Sequence, residues 1–165
     1  AIHKKEKIGI LADYDVDGST SAAILNNFLR FLNIEVTIKV PNRLIEGYGP
    51  NERILDEFVK EKIKLVYTLD CGTTSLKTLN NNKYSDLDII IIDHHISEEK
   101  LPKIYSIINP NRLDENSKFS NLAAVGVTFL FLMGLMPLIL HTLQINMLSY
   151  QSSIVGFLVI ALAIL

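Results

Sequence analysis

Three short strings carry acidic and imidazole side chains directly after apolar segments. They are Asp13-Tyr14-Asp15-Val16-Asp17-Gly18, Asp70-Cys71-Gly72 and Asp93-His94-His95. Carboxylates and imidazoles are ligands that suit manganese, magnesium or zinc. Carboxylates that cluster resist ionising together unless a cation or a shared proton compensates their repulsion. These residue types therefore predict a divalent metal site, provided that the fold brings the three strings together.

The segments before the three strings have the composition of buried strands. Residues 8–12, 65–69 and 89–92 are runs of β-forming apolar side chains, and each ends where an acid follows. Ligands of open α/β sheets collect in the crevice outside the carboxyl ends of the strands. Acids that are far apart in sequence are therefore expected to converge there.

Helical and extended patterns alternate between these segments. Apolar stripes predict helices over 19–32, capped by Ser19 or Thr20, over 51–62, capped by Asn51, and over 73–81. Residues 34–40 alternate at period two, which indicates a half-exposed strand near a sheet edge, and 105–108 form a further extended piece. This order predicts an α/β fold with a mainly parallel sheet flanked by helices.

The first string allows more than one interpretation. If strand geometry continues past residue 12, Asp13, Asp15 and Asp17 point to one face. An EF-hand calcium loop begins with the same spacing of acids, but its twelfth position needs an acid and is Ile24 here. A solvated acidic turn is the third interpretation.

The spacing of His94 and His95 predicts how their side chains are oriented. Adjacent side chains of an extended chain point to opposite faces, so one histidine of the pair could bind metal while the other faces substrate. Cys71 is interpreted as a small packed residue, because no other feature marks it as an activated nucleophile.

Composition limits the classes of function. The net charge of −2 gives no global attraction to nucleic acid, although bound divalent metals would invert the local sign. A single cysteine excludes an internal disulfide and fits a reducing compartment, so a cytoplasmic location is expected. The charged start of the chain does not resemble a signal peptide.

The last 47 residues have a different composition. No Asp, Glu, Lys or Arg follows Lys118, and residues 122–140 form an apolar stretch of transmembrane length. We interpret 1–118 as a catalytic core and 119–165 as the apolar, helical end of the same domain. A buried helix over 122–135 is favoured over a membrane span, since Gly126, Gly134 and Pro137 interrupt the run. The apolar run at 154–165 is shorter than a span normally needs.

The three strings, in this order, resemble the motifs of the DHH phosphoesterase superfamily, most closely its RecJ family of single-strand-specific 5′-to-3′ DNA exonucleases. Residues 46–51, 109–111 and 122–127 are also similar to RecJ segments. The resemblance implies two Mn²⁺ or Mg²⁺ ions, single-stranded DNA as substrate and two-metal hydrolysis. It implies the following roles: Asp13, Asp15, Asp17, Asp70 and His94 as metal ligands, Asp93 orienting the histidines, and His95 at the scissile phosphate. Arg43 and Arg112 are candidates for phosphate contacts.

The chain also departs from the family pattern. The family has a fourth-motif aspartate some tens of residues after the histidines, whereas no acid follows Glu115 here. The family's second domain is expected in a full-length protein and not in these 165 residues. We therefore expect severely impaired activity from this chain alone. Two alternatives stay open: a phosphodiesterase for short oligonucleotides or cyclic dinucleotides, and a non-catalytic, membrane-associated remnant.

Overall fold

The computed structural model describes residue 1 and residues 4–142. Helices and short strands alternate along this part of the chain, with a 3₁₀ turn at Asn82–Tyr84. In chain order the elements are β1 (Ile8–Ala12), α1 (Val16–Phe31), β2 (Val36–Lys39), α2 (Arg43–Glu46), α3 (Glu52–Lys60), β3 (Leu65–Leu69), α4 (Leu76–Leu79), β4 (Asp88–Ile92), β5 (Ser106–Ile108) and α5 (Ala124–Thr142).

The five strands form one parallel sheet in the order β2-β1-β3-β4-β5. The predicted α/β class is confirmed. β2 is an edge strand, as its alternating pattern predicted, and Ile38 in it is exposed. The extended piece predicted near residue 105 is β5, the opposite edge. The three strands that precede the acidic strings occupy the centre of the sheet, where helices cover both faces.

Apolar residues pack on both faces of the sheet. On one face, Ile8 and Ile10 of β1 belong to a core that includes Leu25 and Phe28 of α1 and Leu132 of α5. On the other face, Leu11 packs in a core with residues of α3 and its flanking segments. The principal members of this second core are Ile54, Leu55, Phe58, Ile63, Val66, Ile89 and Ile91. Burial on both faces explains why the central strands are continuous apolar runs instead of alternating ones.

Three helices differ from the sequence prediction. α1 begins at Val16 and is capped by Asp15, not by Ser19 or Thr20, because the Asp15 carboxylate accepts the Gly18 N–H at 2.9 Å. Asn51 caps α3 as predicted, but Val59, expected in the apolar stripe, is exposed. The helix predicted over 73–81 is reduced to the single turn of α4.

α5 packs against α1 and contributes to the core. Val127, Leu132, Met136 and Ile139 are buried, and the helix continues through Gly126, Gly134 and Pro137 instead of ending at them. No helix in the described part of the chain combines the length and apolarity needed to cross a membrane. The apolar run at 154–165 lies outside the described residues, and the division of the chain at residue 118 stays a prediction.

Candidate metal centre

The register of the sheet brings three aspartates into one row. Ala12, Leu69 and Ile92 are the last residues of β1, β3 and β4, and they pair with one another across the sheet. The ladder continues for one more step, since Asp13 N–H donates to Leu69 O at 3.1 Å and Asp70 N–H donates to Ile92 O at 3.0 Å. Asp13, Asp70 and Asp93, all buried, therefore stand side by side at the carboxyl edge.

The first acidic string is a turn into a helix, not a continued strand. β1 ends at Ala12, and Asp17 already lies in the first turn of α1. The expectation that Asp13, Asp15 and Asp17 share one face through strand periodicity is therefore wrong. The capping bond of Asp15 stops the strand and starts the helix, so the three acids approach the site from different backbone conformations.

Gly18 is required by the tightness of this turn. A Cβ built on Gly18 would lie 2.5 Å from the Asp13 carbonyl oxygen and 2.8 Å from the Asp13 carbonyl carbon. The obstacle is backbone, so it cannot rotate away.

We expect Gly18→Ala to lower the free energy of unfolding by about 1–3 kcal/mol, the usual cost of overpacking. Displacement of Asp13 should also weaken metal binding. Gly134→Ala is the matched control, because nothing lies within 4 Å of its Cβ position. Since alanine is favoured over glycine in a helix by about 1 kcal/mol, the control should not destabilise the protein. Urea unfolding measures the free energy of unfolding of both variants. Equal values for Gly18→Ala and Gly134→Ala would contradict the steric argument.

Two groups of potential ligands share Asp70. Asp70, His94 and His95 form one group, and Asp13, Asp15 and Asp70 form the other. Within each group the candidate ligand atoms lie within 4.8 Å of one another. Asp70 is central to the arrangement, and its φ of 59° places it in the left-handed region just after β3.

Carboxyl groups crowd the site and disfavour the ionised form of Asp70. Burial, followed by the Asp17 and Asp15 carboxylates, raises the pKa of Asp70 to about 8. One buried carboxylate oxygen of Asp13 has no hydrogen-bond partner among the described residues, and the buried Oδ1 of Asp70 has none apart from its approach to His94 Nε2 at 3.3 Å. Buried carboxylate oxygens ordinarily have a partner. These orphaned oxygens, together with the nearby imidazoles, fit the donor set of a divalent cation.

The raised pKa predicts a pH dependence for the metal-free protein. Unfolded Asp70 loses its proton near pH 3.8, whereas folded Asp70 retains it up to about pH 8. Between these values the native state binds more protons, so stability should fall as pH rises through this window. The loss should be on the order of a few kcal/mol, at about 1.4 kcal/mol for each pKa unit.

Urea unfolding in EDTA at pH 5 and pH 8 measures this loss. Asp70→Asn has no proton to lose, so its stability should change less between the two pH values. An equal pH dependence of wild type and variant would contradict the assignment to Asp70.

Asp17 has a contact that the sequence did not reveal. Its two carboxylate oxygens accept the N–H groups of Ala124 at 2.8 Å and Val125 at 2.7 Å. A carboxylate in this position satisfies two free donors at the start of α5 and interacts favourably with the helix dipole. Asp17 Oδ2 also lies 3.5 Å from His94 Nε2. Asp17 therefore links α1, α5 and the histidine pair.

The two histidines lie together instead of on opposite faces. Their ring centroids are 4.7 Å apart, and both rings face Asp70, whose Oδ1 is 3.3 Å from His94 Nε2 and 3.8 Å from His95 Nδ1. The extended-chain expectation is wrong because the chain turns at Asp93. Asp93 Oδ1 accepts the backbone N–H groups of both His94 and His95, which ends the strand conformation.

Asp93 also fixes the ring of His95. Asp93 Oδ1 lies 2.7 Å from His95 Nδ1, and this hydrogen bond is the main cause of the raised pKa of His95. The pKa of Asp93 is lowered: burial opposes ionisation, but hydrogen bonds from His95 and Thr73 outweigh it. Asp93 is thus an ionised acceptor that sets the orientation of His95.

Tyr48, a residue not predicted from the sequence to belong to the site, borders it. The Tyr48 hydroxyl donates to Asp70 O at 2.7 Å and lies 3.2 Å from His95 Nδ1. The Arg43 guanidinium carbon lies 4.9 Å from the Tyr14 ring centre and 6.0 Å from that of Tyr48. Arg43 therefore stands next to Tyr48, at the border of the candidate site. The glycines around Tyr48, both at positive φ, were the available signal for a constrained loop.

Arg112, the other candidate for phosphate contact, is engaged elsewhere. Its guanidinium pairs with the Asp114 carboxylate at 2.5 Å and donates to Ile107 O at 3.0 Å. The acidic partner neutralises the charge that would attract a phosphate. The calcium-loop interpretation also fails, because a strand enters the loop and Ile24, its twelfth position, is a buried core residue.

Comparisons with known proteins agree with this geometry. The single-stranded-DNA-specific exonuclease RecJ of Bacillus subtilis (strain 168) is 37% identical over 129 residues, which are 78% of this chain and 16% of RecJ. A structure of exonuclease RecJ bound to manganese superposes with a TM-score of 0.69 at 33% identity, covering 79% of this chain and 33% of that one. RecJ from Thermus thermophilus in complex with Mn²⁺ gives a TM-score of 0.62 at 28% identity, covering 80% and 18%.

The chain thus spans only a small part of the relatives that it matches. The model of the DHH family, N-terminal domain, matches residues 7–161, which is most of the chain. That range contains the row of aspartates, the histidine pair and the whole sheet. The chain belongs to the DHH family.

Proposed function

We propose that this chain is the metal-binding part of a RecJ-type exonuclease that hydrolyses phosphodiester bonds of single-stranded DNA. The observation that carries the proposal is the pair of orphaned carboxylate oxygens on Asp13 and Asp70, next to two imidazoles. The similarity to RecJ bound to manganese supports Mn²⁺ as the cation, with Mg²⁺ as the alternative.

The proposed centre would hold two divalent ions, with Asp70 available as a ligand to each because it belongs to both groups of side chains. In this proposal, His94 would bind the ion on one side of Asp70. Asp13 and Asp15 would bind the ion on the other side. Asp17, whose carboxylate is 3.5 Å from His94, is a further proposed ligand. When bound, such ions activate water and stabilise the charge of the attacking and leaving oxygens.

The protein residues around the ions have separate tasks. Asp93 holds His95 through Nδ1, which leaves Nε2 free to contact the scissile phosphate. Arg43, held over the rings of Tyr14 and Tyr48, provides a cation at the border of the proposed centre. Arg112 is a weaker candidate for a phosphate contact because Asp114 already neutralises it.

The proposed function would need a further domain besides the part of the protein that this chain spans. The chain spans 16% of the B. subtilis relative and 24% of the Escherichia coli (strain K12) relative. We propose that a second domain closes over the DNA. Positioning of substrate supplies several kcal/mol of a typical barrier. The chain alone should therefore turn over well below about 1 s⁻¹, the lower end of typical enzyme rates.

A single-turnover assay tests the proposal. Excess protein is incubated with Mn²⁺ and a long, end-labelled single strand, and parallel reactions contain a dinucleotide or a cyclic dinucleotide. Slow release of mononucleotides from the long strand, abolished by EDTA, is expected. Cleavage of the small substrates alone would overturn the choice of substrate in favour of a small-substrate phosphodiesterase. No product from any substrate would favour a non-catalytic remnant.

A further inference from the structure

The segment Asn109-Pro110-Asn111 directly follows β5 and lies against the histidine pair. β4 and β5 run parallel, and their ladder ends with Asp93 N–H donating to Ile108 O at 3.0 Å. Beyond this bond, the backbone of the two histidines is outside the sheet. Side chains, not strand pairing, must therefore hold it.

Two asparagine amides bind the carbonyl oxygens of the two histidines. Asn109 Nδ2 donates to His95 O at 2.8 Å, and Asn111 Nδ2 donates to His94 O at 2.6 Å. Each histidine thus has its own asparagine. Asn111 also donates to Ser120 O at 3.1 Å, which connects the histidines to the segment that leads into α5.

The orientation of the Asn109 amide is fixed on every side. Its Nδ2 group donates to Thr73 Oγ1 at 3.0 Å as well as to His95 O, and its Oδ1 accepts the Asn111 N–H at 2.8 Å. A flipped amide would place an oxygen against the carbonyl of His95. Asn109 is 5% exposed and Thr73 is fully buried, so water cannot readily replace these bonds.

These hydrogen bonds form a closed network with Asp93, the acid that orients His95. Thr73 N–H donates to Asp93 Oδ2 at 3.1 Å, and Asp93 Oδ1 holds His95 Nδ1. The network therefore runs from Asp93 through Thr73 and Asn109 to the backbone of His95, and the imidazole of His95 returns to Asp93. His95 is held at both its backbone and its ring.

We propose that Asn109 and Asn111 are positioning residues for the histidine pair: their amides hold the carbonyl oxygens of His95 and His94 and so direct both imidazoles toward Asp70. The consequence for metal binding rests on the proposed function. Groups that orient metal ligands typically affect metal affinity by about 10–100-fold.

The test compares Asn109→Leu and Asn111→Leu with wild type. Leucine is close to asparagine in size, adds no charge and removes the donor. Asn80→Leu is the control for the loss of an asparagine side chain that binds backbone in another loop, where exposed Asn80 accepts the Lys103 N–H at 2.7 Å. Mn²⁺ affinity is measured by calorimetry. The imidazole signals of the metal-free proteins are measured by two-bond ¹H–¹⁵N NMR, with exposed His141 as internal reference.

We expect Mn²⁺ affinity about 10–100-fold weaker in both variants, shifted imidazole signals for His94 and His95, and no change in the control or at His141. Unchanged affinity and unchanged imidazole signals in the folded variants would overturn the proposal. If Asn109→Leu does not fold, half-buried Asn111→Leu decides by the same criteria. If wild type binds no Mn²⁺, the metal centre fails, and the imidazole signals alone decide whether the asparagines position the histidines.

Discussion

Replacing Asp70 by asparagine is expected to abolish Mn²⁺ binding and to reduce hydrolysis by about a thousandfold. Asp70 belongs to both ligand groups, so its loss removes a ligand from each. Metal ions supply several kcal/mol of transition-state stabilisation, and each 1.4 kcal/mol corresponds to a tenfold change in rate. Calorimetric Mn²⁺ titration and the single-turnover assay measure the two effects.

The Asp70→Asn variant should fold. Asparagine has nearly the same shape and is among the residues that tolerate the left-handed conformation, which Asp70 adopts with a φ of 59°. It also removes a carboxyl group that the buried site holds at a raised pKa. Asp88→Asn, an exposed substitution at the other end of β4, is the control for loss of one negative charge. Hydrolysis by Asp70→Asn equal to that of Asp88→Asn would show that Asp70 is not a ligand.

The second large effect is expected when Asp17 is replaced by asparagine. The same replacement of Asp15 should have a much smaller effect on stability. Asp17→Asn should lower the free energy of unfolding by about 1.5–3 kcal/mol, the value of a hydrogen bond to a charged group. An asparagine can accept only one of the two α5 N–H groups and presents an amide to the other. Asp15→Asn should leave stability almost unchanged, since asparagine is an equally good N-cap for α1.

Both substitutions should weaken Mn²⁺ binding, because both remove a proposed ligand. Only Asp17→Asn should combine this loss with lower stability of the metal-free protein. Urea unfolding in EDTA and calorimetric Mn²⁺ titration separate the two properties. Equal destabilisation by both variants would contradict the role of Asp17 at the start of α5, and unchanged Mn²⁺ affinity in both would remove them from the ligand set.

Residues at the strand ends were the most predictable part of the site. The apolar runs before Asp13, Asp70 and Asp93 are strong strand signals, and a parallel sheet aligns the ends of its central strands. The sheet register then makes the three acids neighbours. Local pattern and global topology agree at these positions, so sequence alone predicted their convergence.

Residues beyond the strand ends were less predictable, because contacts distant in sequence or turns of the chain decide their placement. The bonds of Asp17 join residues 107 and 108 positions apart, and no local pattern indicates them. The proximity of the two imidazoles depends on the turn at Asp93, whose carboxylate binds the next two N–H groups. Arg43 and Arg112 look equivalent in sequence, yet only Arg43 lies at the border of the candidate site.

The most direct test of the central claim is a titration of the metal-free chain with Mn²⁺, in which electron paramagnetic resonance reports free Mn²⁺. We expect wild type to remove Mn²⁺ from solution at protein-stoichiometric concentration, Asp88→Asn to do the same, and Asp70→Asn to leave the Mn²⁺ free. Equal uptake by wild type and Asp70→Asn, or no uptake by wild type, would contradict a metal centre built around Asp70.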